Sequence, residues 1–255
     1  MENIVDISFL IPTNRPHSLY LNKTIESIER IDKKNLTYEI LVSSPFEDEN
    51  YGNVKFFIDE DNKGSIKPIN YLASQSKGNI ICVLVDDYTP SENLFSIVEF
   101  LNSELFKNRK YKICSLSVST PYGKLPPELV PTGVANPITG EFLPHDRYYI
   151  VKFPVMDRNT YNLLGKKIFH PNFIHHAADN YLDIYLGFMG EPTIECSLIT
   201  LNDWAGRNSE TKYDIHETLV LFDLVKNLNH NYYNPDEVID SIDEIEQFYL
   251  MKNKK

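Results

Sequence analysis

The run Ile80-Ile-Cys-Val-Leu-Val85 has no polar alternation and ends abruptly in two adjacent acids, Asp86-Asp87, followed by Tyr88-Thr-Pro90. A strand with one wet face alternates polar and apolar residues, so this run is expected to be covered on both faces, as in the parallel sheet of an α/β domain. Sheets of that kind bind ligands just outside the carboxyl ends of their strands, where Asp86 and Asp87 would fall. Two neighbouring carboxylates repel unless a cation compensates them, and Mg²⁺ or Mn²⁺ beside a ligand's phosphates would do so. The competing reading is a solvated acidic turn in which one of the pair caps the next helix.

The flanking sequence supplies the rest of such a sheet. Ile4 to Ile11 reads as a first strand that stops at the loop Pro12-Thr-Asn-Arg-Pro16. Leu21, Ile25, Ile28 and Ile31 recur at helical spacing, Tyr38 to Val42 and Val54 to Ile58 are short apolar strands, and Ile69, Leu72 and Ala73 outline a helix closed by Gly78. Strands and helices alternating at this density predict βαβ units and a mostly parallel central sheet flanked by helices. Further on, a helix is expected from Leu94 to Leu101 and strands over Lys112–Val118, Tyr148–Val155 and Ile194–Leu201. Helices are expected over Arg158–Leu164, Asp179–Met189, His216–Leu228 and Asp236–Phe248. The Pro- and Gly-bearing stretch 119–146 has no sustained periodicity, and a long loop of that kind is usually functional.

Charge and cysteine usage narrow the partners. The formal charge of −11 and the lack of any Lys/Arg block argue against nucleic acid. Cys82, Cys114 and Cys196 are far apart and set in apolar context, which predicts buried free thiols and a reducing, cytoplasmic setting. No apolar run approaches the roughly twenty residues that span a bilayer, so a soluble protein without a transmembrane segment is expected. The 255 residues are read as one domain: a ligand-binding half over 1–118, a second half over 119–213 and C-terminal helices over 214–255.

Taken together, the motifs resemble the nucleotide-sugar-dependent glycosyltransferases of the GT-A fold, a Rossmann-like α/β fold, and in particular the inverting family two. Ile7-Ser-Phe-Leu-Ile-Pro-Thr-Asn-Arg15 is similar to that family's first strand and loop. Asn62-Lys-Gly64, Pro68-Ile-Asn70 and Gly78 match its approach to the metal motif, where Asp86-Asp87-Tyr88 stands in place of Asp-X-Asp. Ala178-Asp-Asn-Tyr-Leu-Asp-Ile-Tyr-Leu-Gly-Phe-Met-Gly190 follows the register of its catalytic helix, with Ala178, Tyr181 and Tyr185 replacing the usual Glu, Asp and Arg. The resemblance covers roughly residues 4–190.

It implies a metal-dependent transfer of a sugar from a nucleoside diphosphate, with UDP the most frequent in the family, to a hydroxyl of a glycan acceptor. Asp179 falls on the general base, Asp87 on the metal, and Asp86 on the ribose or a bridging water. Pro12, Thr13 and Arg15 fall on the base and ribose, and Ser43 or Ser44 stands where the family places an Asp against the base. Lys63 and Lys67 are candidates for the diphosphate, His216 for a further metal ligand, and Trp204 and Arg207 for a loop closing over the donor. His170, His175 and His176 are expected to line the acceptor pocket rather than to bind zinc. The cofactor implied is Mn²⁺ or Mg²⁺. Two other readings stay open: an inert module that recognises a nucleotide sugar or glycan, and, further off, a nucleotidyltransferase that makes sugar nucleotides.

Overall fold

A computed structural model describes residues 4–14, 19–46, 52–60, 64–120, 123–124, 133–145, 152–203 and 215–228. The N-terminal strands are those the apolar runs predict: β1 (Val5–Pro12), β2 (Tyr38–Ser44), β3 (Val54–Ile58) and β4 (Gly78–Val83). β4 pairs two residues short of the expected strand, though Leu84 N–H still donates to Leu10 O at 2.9 Å. Between them lie α1 (Leu19–Arg30) and α2 (Ile66–Gln75). After a short β5 (Tyr88–Pro90), a 3₁₀ turn over Leu94–Ser96 runs into α3 (Ile97–Leu101), so the helix expected from Leu94 is split in two.

The second half contributes β6 (Ile113–Thr120), β7 (Gly123–Lys124), a hairpin of β8 (Gly133–Ala135) and β9 (Phe142–Pro144), and β10 (Pro154–Asp157). It continues with α4 (Arg158–Leu163), α5 (Ala178–Phe188), β11 (Ile194–Asp203) and α6 (Ile215–Leu228). The strand expected over Tyr148–Val155 is found later, at β10, with residues 146–151 outside the described set; the helix expected over Asp236–Phe248 also lies outside it.

The sheet order is β3-β2-β1-β4-β10-β6-β11-β5, with β7 paired to β6. β3, β2, β1 and β4 are parallel, β10 inserts antiparallel between β4 and β6, β11 pairs parallel to β6, and β5 closes the edge antiparallel to β11. The sheet is therefore mixed, with most strands running one way and β10, β5 and the short β7 against them.

Period-two alternation divides the buried strands between two layers. Phe9, Ile11, Ile40, Val42, Cys82 and Leu84 pack on one face with Leu21, Ile25 and Ile28 of α1 and with Phe95 and Leu101. Leu10, Leu41, Ile81 and Val83 pack on the other with α2, α5 and α6, through Leu72, Ile184 and Phe222 among others. This double coverage is why the strands read as unbroken apolar runs, each buried Ile, Leu or Phe contributing about 1.5–3 kcal/mol. All three cysteines are buried and free, as expected. Among the described residues no helix is long and apolar enough to cross a membrane.

Candidate functional site

Parallel register brings the ends of β1, β2 and β4 to one edge of the sheet. Pro12 is paired with Ser43, and Thr13 N–H donates to Ser43 O at 2.8 Å. Thr13 Oγ1 donates to Asp86 Oδ2 at 2.5 Å, joining the loop after β1 to the acidic pair after β4. Asp86 is buried, 6% exposed, while Asp87 beside it is half-buried. From α1, the fully buried Thr24 reaches under the turn and donates to the carbonyls of Asp86 at 3.0 Å and Tyr88 at 2.8 Å. The reading of this pair as a helix cap does not hold, because the next turn of helix begins at Leu94 with Asn93 at its cap.

Tyr88 turns its ring to Phe153, centroids 5.1 Å apart. Burial, then the charges of Asp203 and Asp87, push its hydroxyl pKa up to about 12. Asp203 is the register partner of Tyr88 across β5 and β11. The sheet thus sets a carboxylate from β11 beside Tyr88, two residues beyond the strand end expected at Leu201.

The other expected donor-site residues are placed unevenly. Ser43 is 2% exposed, and its Oγ makes no hydrogen bond among the described residues. Ser44 Oγ accepts the Phe46 N–H at 3.2 Å, closing the turn after β2. Lys67 is exposed on the first turn of α2, and His216 is exposed at the start of α6. Among the described residues no three or more His, Cys, Asp or Glu side chains gather in a set able to hold a metal ion. Arg15, Lys63, Trp204 and Arg207 lie outside the described residues.

Asp179 stands in the first turn of α5, with Oδ1 accepting the Asn180 N–H at 2.9 Å. Its approach loop is anchored from several sides. Asn70 of α2, 5% exposed, accepts the N–H of Ile168 at 2.9 Å and of Phe169 at 3.2 Å, and donates to Phe169 O at 2.8 Å. Ile66 N–H donates to Ile174 O at 3.2 Å, and Ser65 Oγ lies 3.0 Å from His175 Nδ1. Asp59 N–H, just past β3, donates to Ser44 O at 2.8 Å, and the start of α2 follows this strand end. These contacts carry the loop before Asp179 to the same edge of the sheet as Thr13 and Asp86.

His170 packs edge-on against Tyr181, centroids 5.3 Å apart, and burial holds its pKa below the ordinary value. Tyr181 in turn lies tilted against Tyr185, centroids 6.3 Å apart, one turn along α5. His175 is also held low, first by burial, then by the neighbouring His176, with Glu217 partly offsetting both.

Gly64 is required where it stands. It has φ +68°, and a Cβ there would lie 2.1 Å from Ile174 O. Gly64→Ala is therefore expected to destabilise the fold by about 2–4 kcal/mol, combining left-handed strain with displacement of the Ile174 carbonyl. The measurement is a lower urea midpoint at unchanged m-value; an unaltered midpoint would mean that this contact carries no stability.

This arrangement is the GT-A glycosyltransferase fold. Similar solved structures include GalNAc-T7 with UDP, GalNAc and Mn²⁺, at TM-score 0.55 and 15% identity, covering 80% of this chain and 44% of that one. The mannosyltransferase PcManGT of Pyrobaculum calidifontis, with GDP-Man and Mn²⁺, matches at TM-score 0.55 and 12% identity over 92% of this chain and 67% of that one. S. aureus TarS 1–349 with UDP-GlcNAc matches at TM-score 0.56 and 13% identity over 91% and 69%. The chain spans less than half the length of the GalNAc-T7 chain. No family model and no curated protein matches the sequence.

Proposed function

We propose that this protein is an inverting glycosyltransferase that moves a hexosyl unit from a nucleoside diphosphate sugar, in first place a UDP-sugar, to a hydroxyl of a growing glycan. The observation that carries this reading is the Thr13–Asp86 hydrogen bond, which ties the loop after β1 to the acidic pair after β4 at the strand ends of a GT-A sheet. The fold neighbours solved with UDP or UDP-GlcNAc, or with GDP-Man and Mn²⁺, support it.

Thr13 and Asp86 would set the ribose, with Pro12 and Arg15 beside them. The Ser43 hydroxyl, buried and without a hydrogen bond among the described residues, is suited to meet a base edge, and Ser44 shapes the same turn. Lys63 and Lys67 are the candidates for the diphosphate. Asp87 would hold the divalent cation, Mn²⁺ or Mg²⁺. Such ions take one or two protein carboxylates and fill the remainder of their shell with phosphate oxygens and water, so Asp87 at the strand end fits one, and His216 is a further candidate ligand. When bound, the cation supplies Lewis-acid stabilisation of the departing diphosphate.

Asp179 would take the acceptor hydroxyl proton on a carboxylate oxygen as that hydroxyl oxygen bonds to the anomeric carbon. The bond from that carbon to the diphosphate oxygen breaks, and its electron pair leaves with the nucleotide. A single displacement inverts the centre, so one catalytic carboxylate suffices. The stretch 119–147 and the segments after residue 190 would shape the acceptor site, within one domain divided at 118 and 213.

One observation favours an inert recognition module instead. Tyr88, at the third position of the acidic motif, packs on Phe153 and presents no third acid. Calorimetric titration with UDP, GDP, CDP and dTDP, each with Mn²⁺ and with chelator, separates the readings in part. Metal-dependent binding of one nucleotide, followed by product from the matching sugar nucleotide, is expected. Binding without product would favour the module, and no binding to any nucleotide would end the transferase reading and leave the module as one that recognises a glycan.

A further inference from the structure

One heavily engaged buried carboxylate is not among those expected to act on substrate. Glu217, in the first turn of α6 and 1% exposed, accepts the N–H groups of three successive residues in the loop before α5. Oε1 takes those of Ile174 and His175, the latter at 2.7 Å, and Oε2 takes that of His176 at 2.6 Å. The next residue, Ala177, has φ +59°, a left-handed conformation that costs a non-glycine residue about 1–2 kcal/mol. Asp179 follows two residues later. A loop that offers three adjacent amides to one point and then turns through a strained residue is not held by its own sequence. Charge-assisted bonds to a buried carboxylate are the stronger class, and here they offset both that strain and the cost of burying the carboxylate.

From this geometry we infer that Glu217 is the positioning residue for Asp179, so that the aim of the proposed base is set from α6 through the Ile174–His176 amides. The inference rests on the transferase reading and adds to it a dependence of turnover on a residue that touches neither donor nor metal. It also accounts for the location of His175, whose Nδ1 lies 3.0 Å from Ser65 Oγ while its N–H is held by Glu217. The loop is thereby pinned between the start of α2 and the start of α6.

The test uses the full chain. Glu217→Gln keeps the volume and one acceptor oxygen but replaces the other with a donor that faces an N–H. It is expected to lower kcat roughly 10- to 100-fold, the effect of a small misplacement of a reacting group, with donor affinity unchanged. Amide hydrogen exchange at residues 174–176 should speed up in the same variant. In Glu217→Ala, added formate should restore part of the turnover by occupying the vacated amides, and should do nothing to the parent protein. A kcat equal to the parent's, or a loss fully matched by weaker donor binding or by a smaller folded fraction, would overturn the inference. If the parent itself shows no turnover with any sugar nucleotide, the transferase reading fails, and exchange still decides whether Glu217 sets the loop: unaltered rates at 174–176 in Glu217→Gln would refute it.

Discussion

Asp179→Asn is expected to abolish sugar transfer while leaving nucleotide binding nearly untouched. The amide keeps the shape of the carboxylate, and its oxygen can still accept the Asn180 N–H that Asp179 Oδ1 now takes at 2.9 Å. The start of α5 should therefore remain folded. What is lost is the ability to take a proton from an acceptor hydroxyl whose own pKa lies far above neutrality. General-base assistance is worth roughly 10²–10⁴-fold, and the loss should appear in kcat rather than in donor affinity. Single-turnover transfer from the sugar nucleotide that binds, measured beside calorimetry on the same sample, decides it. Turnover within a few-fold of the parent would move the base elsewhere.

Asp87→Ala should have the second-largest effect, and on binding rather than on chemistry. Asp87 stands half-buried at the end of the β4 run while Asp86 is occupied with Thr13. Of the two, Asp87 is the one proposed to hold the cation. Removing it should cost about 2 kcal/mol or more, roughly 30-fold in nucleotide affinity with Mn²⁺ present, and should erase the difference between metal and chelator. The sheet should be undisturbed, because the Thr24 bonds that fix this turn go to the backbone carbonyls of Asp86 and Tyr88. Unchanged metal-dependent affinity would remove Asp87 from the metal site.

Much of this was legible in the chain because the signals are local. Strands covered on both faces must be apolar throughout, so Phe9-Leu-Ile11, Ile40-Leu-Val42 and Ile80 to Leu84 announce themselves, and the helices between them show a 3.6-residue period. The acidic pair was visible because it ends such a run. Placement within the sheet was not. Nothing in Pro154–Asp157 says that this strand inserts antiparallel between β4 and β6, since pairing direction depends on where the preceding segment returns the chain. The brief β5 is likewise visible only through its pairing with β11, and Ser91, just before the 3₁₀ turn at Leu94, donates its N–H to Thr200 O of that strand at 2.8 Å.

The candidate site divides in the same way. Asp86 and Asp87 could be selected from the sequence because a parallel sheet sends strand ends to one edge, and Thr13 and Ser43 because the motifs around them resemble those of the GT-A family two enzymes. The roles of Asp203, Asn70 and Glu217 could not, even though Asn70 stands in a matched motif, since each acts on residues distant in sequence: Tyr88 for Asp203, Ile168 and Phe169 for Asn70, and the Ile174–His176 amides for Glu217. Locally Glu217 is only an acid in the first turn of a helix, a common place for one because of the helix dipole. The sequence alone therefore determined the layers, most of the elements and the acidic strand end, since burial periodicity and turn chemistry act over a few residues. Tertiary structure alone decided the strand order, the partners of the buried acids and the anchoring of the loop before Asp179. Those depend on which unsatisfied backbone groups meet which side chains once distant segments pack, and buried polar groups must be satisfied wherever the fold brings them.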